Sequence, residues 1–328
     1  MTSLTVLADG SAGWSWNLLS DVREMWSYPF MVNAFRAGTI VAVVAGVTGW
    51  FMVLRRQSFA GHTLAVVGFP GAAGAVLVGV GATYGYFAFC VAAALVIAAV
   101  PRGGRDGGVQ ESALTGTVQA FLLACGFLFT ALYKGLLGGT TSLLFGSFLG
   151  ITTLQVRVLL AVAVAVLGLL ALIGRPLLFA SVDPDVAAAR GVPVRLLSTA
   201  FLVLLGAAAA GTSQITGTLL VFALLVMPAA TAQALTARPA RGLALSVLLA
   251  VAVTWLGLTV AYYSPYPVGF WVTTLAFAGY LAARLAGPIA DRLPRTAPTP
   301  APVPAPAPVP APAPVPAPAP TPADGGRA

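Results

Sequence analysis

The chain has 328 residues, with 17 Lys and Arg against 9 Asp and Glu, a net charge of +8, 59% apolar residues and only 8% charged. Soluble globular domains carry about 25% charged residues, so an ordinary soluble domain, a disordered chain and a disulfide-stapled secreted module are all excluded. The two cysteines, Cys90 and Cys125, fall inside apolar runs and read as small packing residues.

Residues 1–29 are polar and hold Trp14, Trp16 and Trp26, which suits an interfacial segment; no apolar run opens the chain, so no signal peptide is expected. Charge-free stretches long enough to cross a bilayer then follow at 37–54, 63–80, 82–100, 113–133, 158–174, 196–212, 215–235, 243–263 and 266–283. They predict nine membrane spans in an all-α polytopic bundle. The first span is expected to begin near Phe30, with Arg36 snorkelling, and the second near Phe59, taking in His62. The run 196–212 is at the short limit and is expected to extend into its flanks.

The uncharged stretch 136–154 is rich in Gly and Thr and poor helix material. If it does not cross, 13 basic residues lie on the cytoplasmic side and 4 (Arg23, Arg36, Lys134 and Arg157) lie outside. If it crosses, the best split is 12 to 5. The positive-inside rule therefore favours an outer-face or re-entrant segment, an outside N-terminus and a cytoplasmic C-terminus. Pro294 to Pro322 holds 14 prolines, mostly alternating with Ala or Val. These remove helix and sheet donors and predict a solvated polyproline II tail. The chain divides into an N-terminal segment (1–29), a membrane domain (30–285) and a Pro/Ala-rich disordered tail (286–328).

Runs such as Gly71-Ala72-Ala73-Gly74-Ala75 let helix backbones approach closely in lipid. No span holds Asp or Glu, and the chain has a single histidine, His62. An intramembrane Ser–His–Asp or multi-ligand metal enzyme is implausible on that count, and an ion-coupled relay is weakened. A P-loop needs a Lys after its second Gly; the only Lys is Lys134, followed by Gly135. The chain is read as no enzyme, and any ATP-driven motor must be another polypeptide.

Between the fifth and sixth spans runs Ser181-Val182-Asp183-Pro184-Asp185-Val186-Ala187-Ala188-Ala189-Arg190-Gly191-Val192-Pro193-Val194-Arg195. Asp183 is a good N-cap and Pro184 a good first residue; Asp185 and Arg190 complement the two helix ends. Gly191 is a natural stop, and Pro193 prevents continuation. A two-turn helix outside the membrane is predicted. A mere connector does not need capping at both ends, which favours a docking role.

These residues complete a pattern. The chain resembles the permease subunits of zinc- and manganese-type ABC importers. The resemblance rests on Tyr28-Pro29-Phe30-Met31, on Val53-Leu54-Arg55-Arg56-Gln57-Ser58-Phe59-Ala60-Gly61-His62, on Gly68-Phe69-Pro70-Gly71 and on Leu144–Gly150. The Asp183–Arg195 segment and the run Gly217–Ala232 complete it. It covers roughly residues 28–285. It implies a second permease copy, a cytoplasmic ATPase dimer that alone uses ATP, an extracytoplasmic metal-binding protein and a bacterial cytoplasmic membrane, with no nucleic acid. No cofactor bound by this chain is implied; the divalent metal, zinc or manganese, is cargo. Asp183, Pro184, Asp185, Arg190, Gly191 and Arg195 correspond to the ATPase-coupling region, and His62, Gly68, Pro70 and Gly71 to a helix near the substrate pathway. Pro70 and the neighbouring glycines weaken a helix, either to line a cavity or as a packing kink.

Family members commonly carry Asp at the place of His62 and Ser-His at the place of Ala65-Val66. Positions 62 and 66 share a helix face, so one metal ligand, His62, stands where two are expected. The alternative for His62 is an uninvolved residue bonded to a neighbouring carbonyl. Import of another solute such as a metal chelate, and a non-transporting scaffold, are the other readings of the whole chain.

Overall fold

A bilayer offers the backbone no hydrogen-bond partners, so each apolar run satisfies its amides internally by becoming a helix. The computed structural model describes residues 24–99, 107–133 and 150–292. In chain order the helices are α1 (Pro29–Leu54), α2 (Ser58–Leu77), α3 (Ala82–Ala99), α4 (Gly107–Leu132) and α5 (Thr153–Val182). They continue with α6 (Pro184–Ala189), α7 (Val194–Thr216), α8 (Thr218–Leu235), α9 (Pro239–Tyr262) and α10 (Val268–Arg292). Eight are long and apolar enough to cross a membrane, and α8 is a further, shorter apolar helix, Leu220–Leu235. The nine expected spans are thus all helical, and α6 is the additional short helix.

The bounds differ from the sequence reading in three places. The run 158–174 underestimates α5, which has 30 residues and keeps Arg175 and Pro176 inside the helix. At about 45 Å it outruns a hydrocarbon core of about 30 Å, so charged residues near its ends need not enter lipid. It starts at a capping box: the Gln155 amide donates to Thr152 Oγ1 at 3.3 Å while the Thr152 amide donates to Gln155 Oε1 at 2.8 Å. The run 196–212 extends to Val194–Thr216. Helix α2, expected to be weakened at Pro70 and to run to residue 80, ends at Leu77 with Pro70 inside it. The expectations for Trp14, Trp16, Lys134, most of 136–154 and the Pro-rich tail lie outside the described residues.

The described residues up to Ala290 belong to one compact unit. Helices α1, α2 and α7 are its centre, with 67%, 72% and 61% of their apolar windows buried, whereas α4 and α10 have 11% and 17%. The outer helices turn Phe121, Phe127, Leu128, Phe270 and Phe277 outward; an apolar exterior of this kind is solvated by lipid, not water. Helix α2 packs on α3 and α4, α1 on α8 and α9, and α7 on α3 and α5.

Closest approach falls where side chains are missing. A Cβ on Gly71 would run into the Gly85 carbonyl, and one on Gly85 into the Gly71 carbonyl, so α2 and α3 touch backbone to backbone. Gly71→Val is expected to cost about 1–3 kcal/mol through overpacking, read as a lower melting temperature in detergent. An unchanged melting temperature would mean the helices separate freely here.

Candidate functional site

The segment after α5 folds as its local chemistry dictates. Asp183 is extended (φ −142°, ψ 93°) and its Oδ1 accepts the Val186 amide at 3.0 Å, with Pro184 as the first helical residue. At the other end Gly191 takes φ +79°. Its amide donates to the Ala188 carbonyl at 2.9 Å, and the Val192 amide to the Ala187 carbonyl at 3.0 Å. This is a Schellman stop, which satisfies two otherwise orphaned carbonyls. Ala187 is fully buried against α5 and α7, while Asp185 and Arg190 are exposed, as is Arg195 in the first turn of α7. A six-residue helix is far too short to be stable alone; caps and the buried alanine fix it on the bundle surface.

Beside α6 lies a cleft of about 860 Å³, lined among others by Arg55, Arg56, Asp185, Arg195 and Ser198. Arg55 belongs to the turn after α1. Its Nη1 donates to Ser181 Oγ at 2.9 Å, its Nη2 donates to Ser198 Oγ, and its guanidinium lies 5.6 Å over the Phe201 ring. One side chain thereby ties the end of α1 to α5 and α7, next to the capped helix. From the sequence Arg55 is legible only as part of a motif; the signal for a role is the charge pair Arg55-Arg56 at the end of an apolar run.

The four α2 residues expected near the pathway, His62, Gly68, Pro70 and Gly71, do not gather on one surface. A Cβ on Gly68 would meet the Tyr86 ring of α3 at 2.7 Å, and one on Gly126 of α4 would meet Pro70 Cα at 3.0 Å. With Gly71 against Gly85, these three residues pack α2 onto its neighbours. His62 instead faces α8, its ring edge-on to Phe222 at 4.6 Å. Its Nδ1 is buried without a hydrogen-bond partner among the described residues, so no carbonyl holds that atom. Val66, one turn along, is 7% exposed. Among the described residues no three of His, Cys, Asp and Glu come together as a metal site. Among the described residues His62 is therefore not part of a cluster of metal-ligating side chains.

A tightly packed helical bundle of apolar exterior, with a capped helix and an arginine-lined cleft on one surface, has the build of a membrane permease. Residues 27–286 match the ABC 3 transport family, and the chain belongs to that family. It is 30% identical over 222 residues to the manganese transport system membrane protein MntC of Halalkalibacterium halodurans, covering 68% of this chain and 75% of that one. It is 28% identical over 274 residues to the chelated iron transport system membrane protein YfeC of Yersinia pestis, covering 83% and 91%. Among solved structures, PsaBC from Streptococcus pneumoniae in complex with Fab superposes with TM-score 0.74 at 25% identity, covering 84% of this chain and 98% of that one.

Proposed function

We propose that this chain imports a divalent metal of the manganese class across a bacterial cytoplasmic membrane, as one of two permease copies driven by a separate ATPase dimer. The doubly capped α6 carries the reading: a rigid helix held on the surface, beside the Arg55–Arg195 cleft, is built to transmit force from a docked motor. Asp183, Pro184, Asp185, Arg190, Gly191 and Arg195 form the docking element. An extracytoplasmic binding protein delivers the cargo, and the 13-to-4 charge split supports a cytoplasmic side for α6 and the C-terminus. Manganese is favoured over zinc because zinc sites draw on several nitrogen and sulfur donors, and the pathway face of α2 offers only His62. The relatives named for manganese transport support the same choice.

Val66 at the position of a second ligand supports one other reading, a chelate whose metal arrives already coordinated; the relative named for chelated iron is compatible with it. Reconstitution in liposomes with the ATPase and binding protein separates the two. ATP-dependent uptake of free manganese is the expected result, and uptake of a chelate alone would favour the second reading. In the same assay His62→Ala is expected to lower manganese uptake several-fold with complex assembly unchanged. Uptake at the parental rate would leave His62 without a role in transport.

A further inference from the structure

Helices α7 and α8 are separated by one residue, Gly217, with φ +79° and ψ 155°. Turns between spans normally lie at the bilayer surface. This one is inside the protein: Thr216, Ser213 and Thr218 are 0%, 1% and 1% exposed. The register of α8 against α1 fixes where. A Cβ on Gly49 would strike the Leu225 carbonyl, and the Gln233 amide donates to the Trp50 carbonyl at 2.9 Å. The later turns of α8 therefore run beside the last turns of α1. Thr218 precedes Leu225 by two turns, about 10 Å of helix.

Two hydroxyls at this break differ from the others in the bundle. Buried Thr48, Thr212, Thr216, Thr231 and Thr254 each donate to the carbonyl four residues back in their own helix, at 2.6–3.0 Å. Ser213 Oγ and Thr218 Oγ1 are buried with no partner among the described residues. Thr218 opens α8, so no carbonyl of its own helix lies four residues behind it. A buried hydroxyl left unpaired costs about 1–3 kcal/mol, and here one stands on each side of the same break. The break also leaves the last carbonyls of α7 and the first amides of α8 without intrahelical partners. Facing helix ends inside a bundle are a general means of replacing an ion's water shell, the carbonyl end taking the cation. Phe222, which packs on His62, is one turn from Thr218 on the same face of α8.

We propose that the α7–α8 break at Gly217 is a station on the cargo's path, where the Ser213 and Thr218 hydroxyls and the terminal carbonyls of α7 hold a partly dehydrated divalent cation. This rests on the reading of the chain as a metal permease and adds a ligand set to it. The donors are neutral oxygens, which suit manganese better than zinc or copper(I). Neutral donors also bind weakly enough to let the ion leave, as conduction requires. His62 is then the next donor along the face of α8, which explains how one imidazole serves where two side-chain ligands were expected.

The test uses the reconstituted complex and free manganese(II), with two readouts: ATP-dependent uptake, and equilibrium binding by loss of the free manganese electron-paramagnetic-resonance signal. Thr218→Val keeps the shape and removes the oxygen; Ser213→Ala removes the other. Each is expected to lower uptake and binding by about tenfold, with Thr218→Ser restoring both. Parental uptake and binding in both variants would overturn the station while leaving manganese import in place. If the parental complex takes up no divalent metal, the import reading fails. Binding then decides the station alone: manganese bound by the parent and lost in Thr218→Val supports it, and equal binding in the two overturns it.

Discussion

Replacing Gly191 with valine is expected to lower ATPase docking and ATP-driven uptake by about tenfold or more while leaving the amount of protein in the membrane unchanged. Gly191 has φ +79°, and the two capping bonds to Ala187 and Ala188 depend on it. A left-handed conformation costs an ordinary L-residue about 1–2 kcal/mol, enough to shift a two-state equilibrium by roughly tenfold. A β-branched side chain raises that cost. Nothing lies within 4 Å of the position a Cβ would take, so the effect would come from backbone conformation and not from a clash. Gly191→Asn separates the two, since Asn tolerates this conformation and should retain docking. Normal docking and uptake by Gly191→Val would reduce α6 to a connector.

Arg55→Met is expected to destabilise the bundle by about 2 kcal/mol, since hydrogen bonds to charged groups are worth about 1.5–3 kcal/mol each and this residue is only partly buried. Methionine replaces much of the aliphatic stem but none of the donors, so the 6% exposed Ser198 loses a partner and Phe201 loses its cation. The loosened end of α1 adjoins α6, so weaker ATPase co-purification should accompany the lower melting temperature. Arg55→Lys should recover only part of either, because one ammonium cannot reach Ser181 and Ser198 in the same fork. Unchanged melting and docking in Arg55→Met would show that the three helices hold together without it.

What the sequence revealed followed the range of the interaction. Helix α6 was legible to the residue because Asp183, Pro184 and Gly191 act on backbone groups within a few positions. The number of spans was legible because hydropathy is summed over each segment. The ends of α5 were not, because Arg175 reads as a stop while a 30-residue helix carries it past the hydrocarbon. A break was legible between the runs 196–212 and 215–235, but its place at Gly217 was not, since one more glycine among 36 carries no signal until its φ is seen. The role of Arg55 depends on serines 126 and 143 positions away. His62 stood out as the only histidine, but the aromatic ring it meets lies on another helix and could not be read from α2.

The self-bonded threonines bear on the order of biosynthetic events. A hydroxyl that donates to its own helix, as in Thr48 or Thr254, needs no neighbour, so α1 and α9 can leave the translocon singly without stranding those groups in lipid. Other polar side chains lack that independence. Thr63 on α2 donates to Gln119 on α4 at 2.8 Å, Ser246 on α9 to the Gly46 carbonyl at 2.8 Å, and Gln233 on α8 to Trp50. These groups stay unsatisfied until the second helix arrives, and each such bond is worth about 0.6–2 kcal/mol in a membrane. Maturation is thereby staged: the Gln233 and Ser246 donors are made 183 and 200 residues after their α1 acceptors, so α8 and α9 find their partner already in the bilayer. The pair α2 and α4 can lock as soon as α4 is made, which gives the nascent chain an early hairpin-like nucleus on which the later helices assemble.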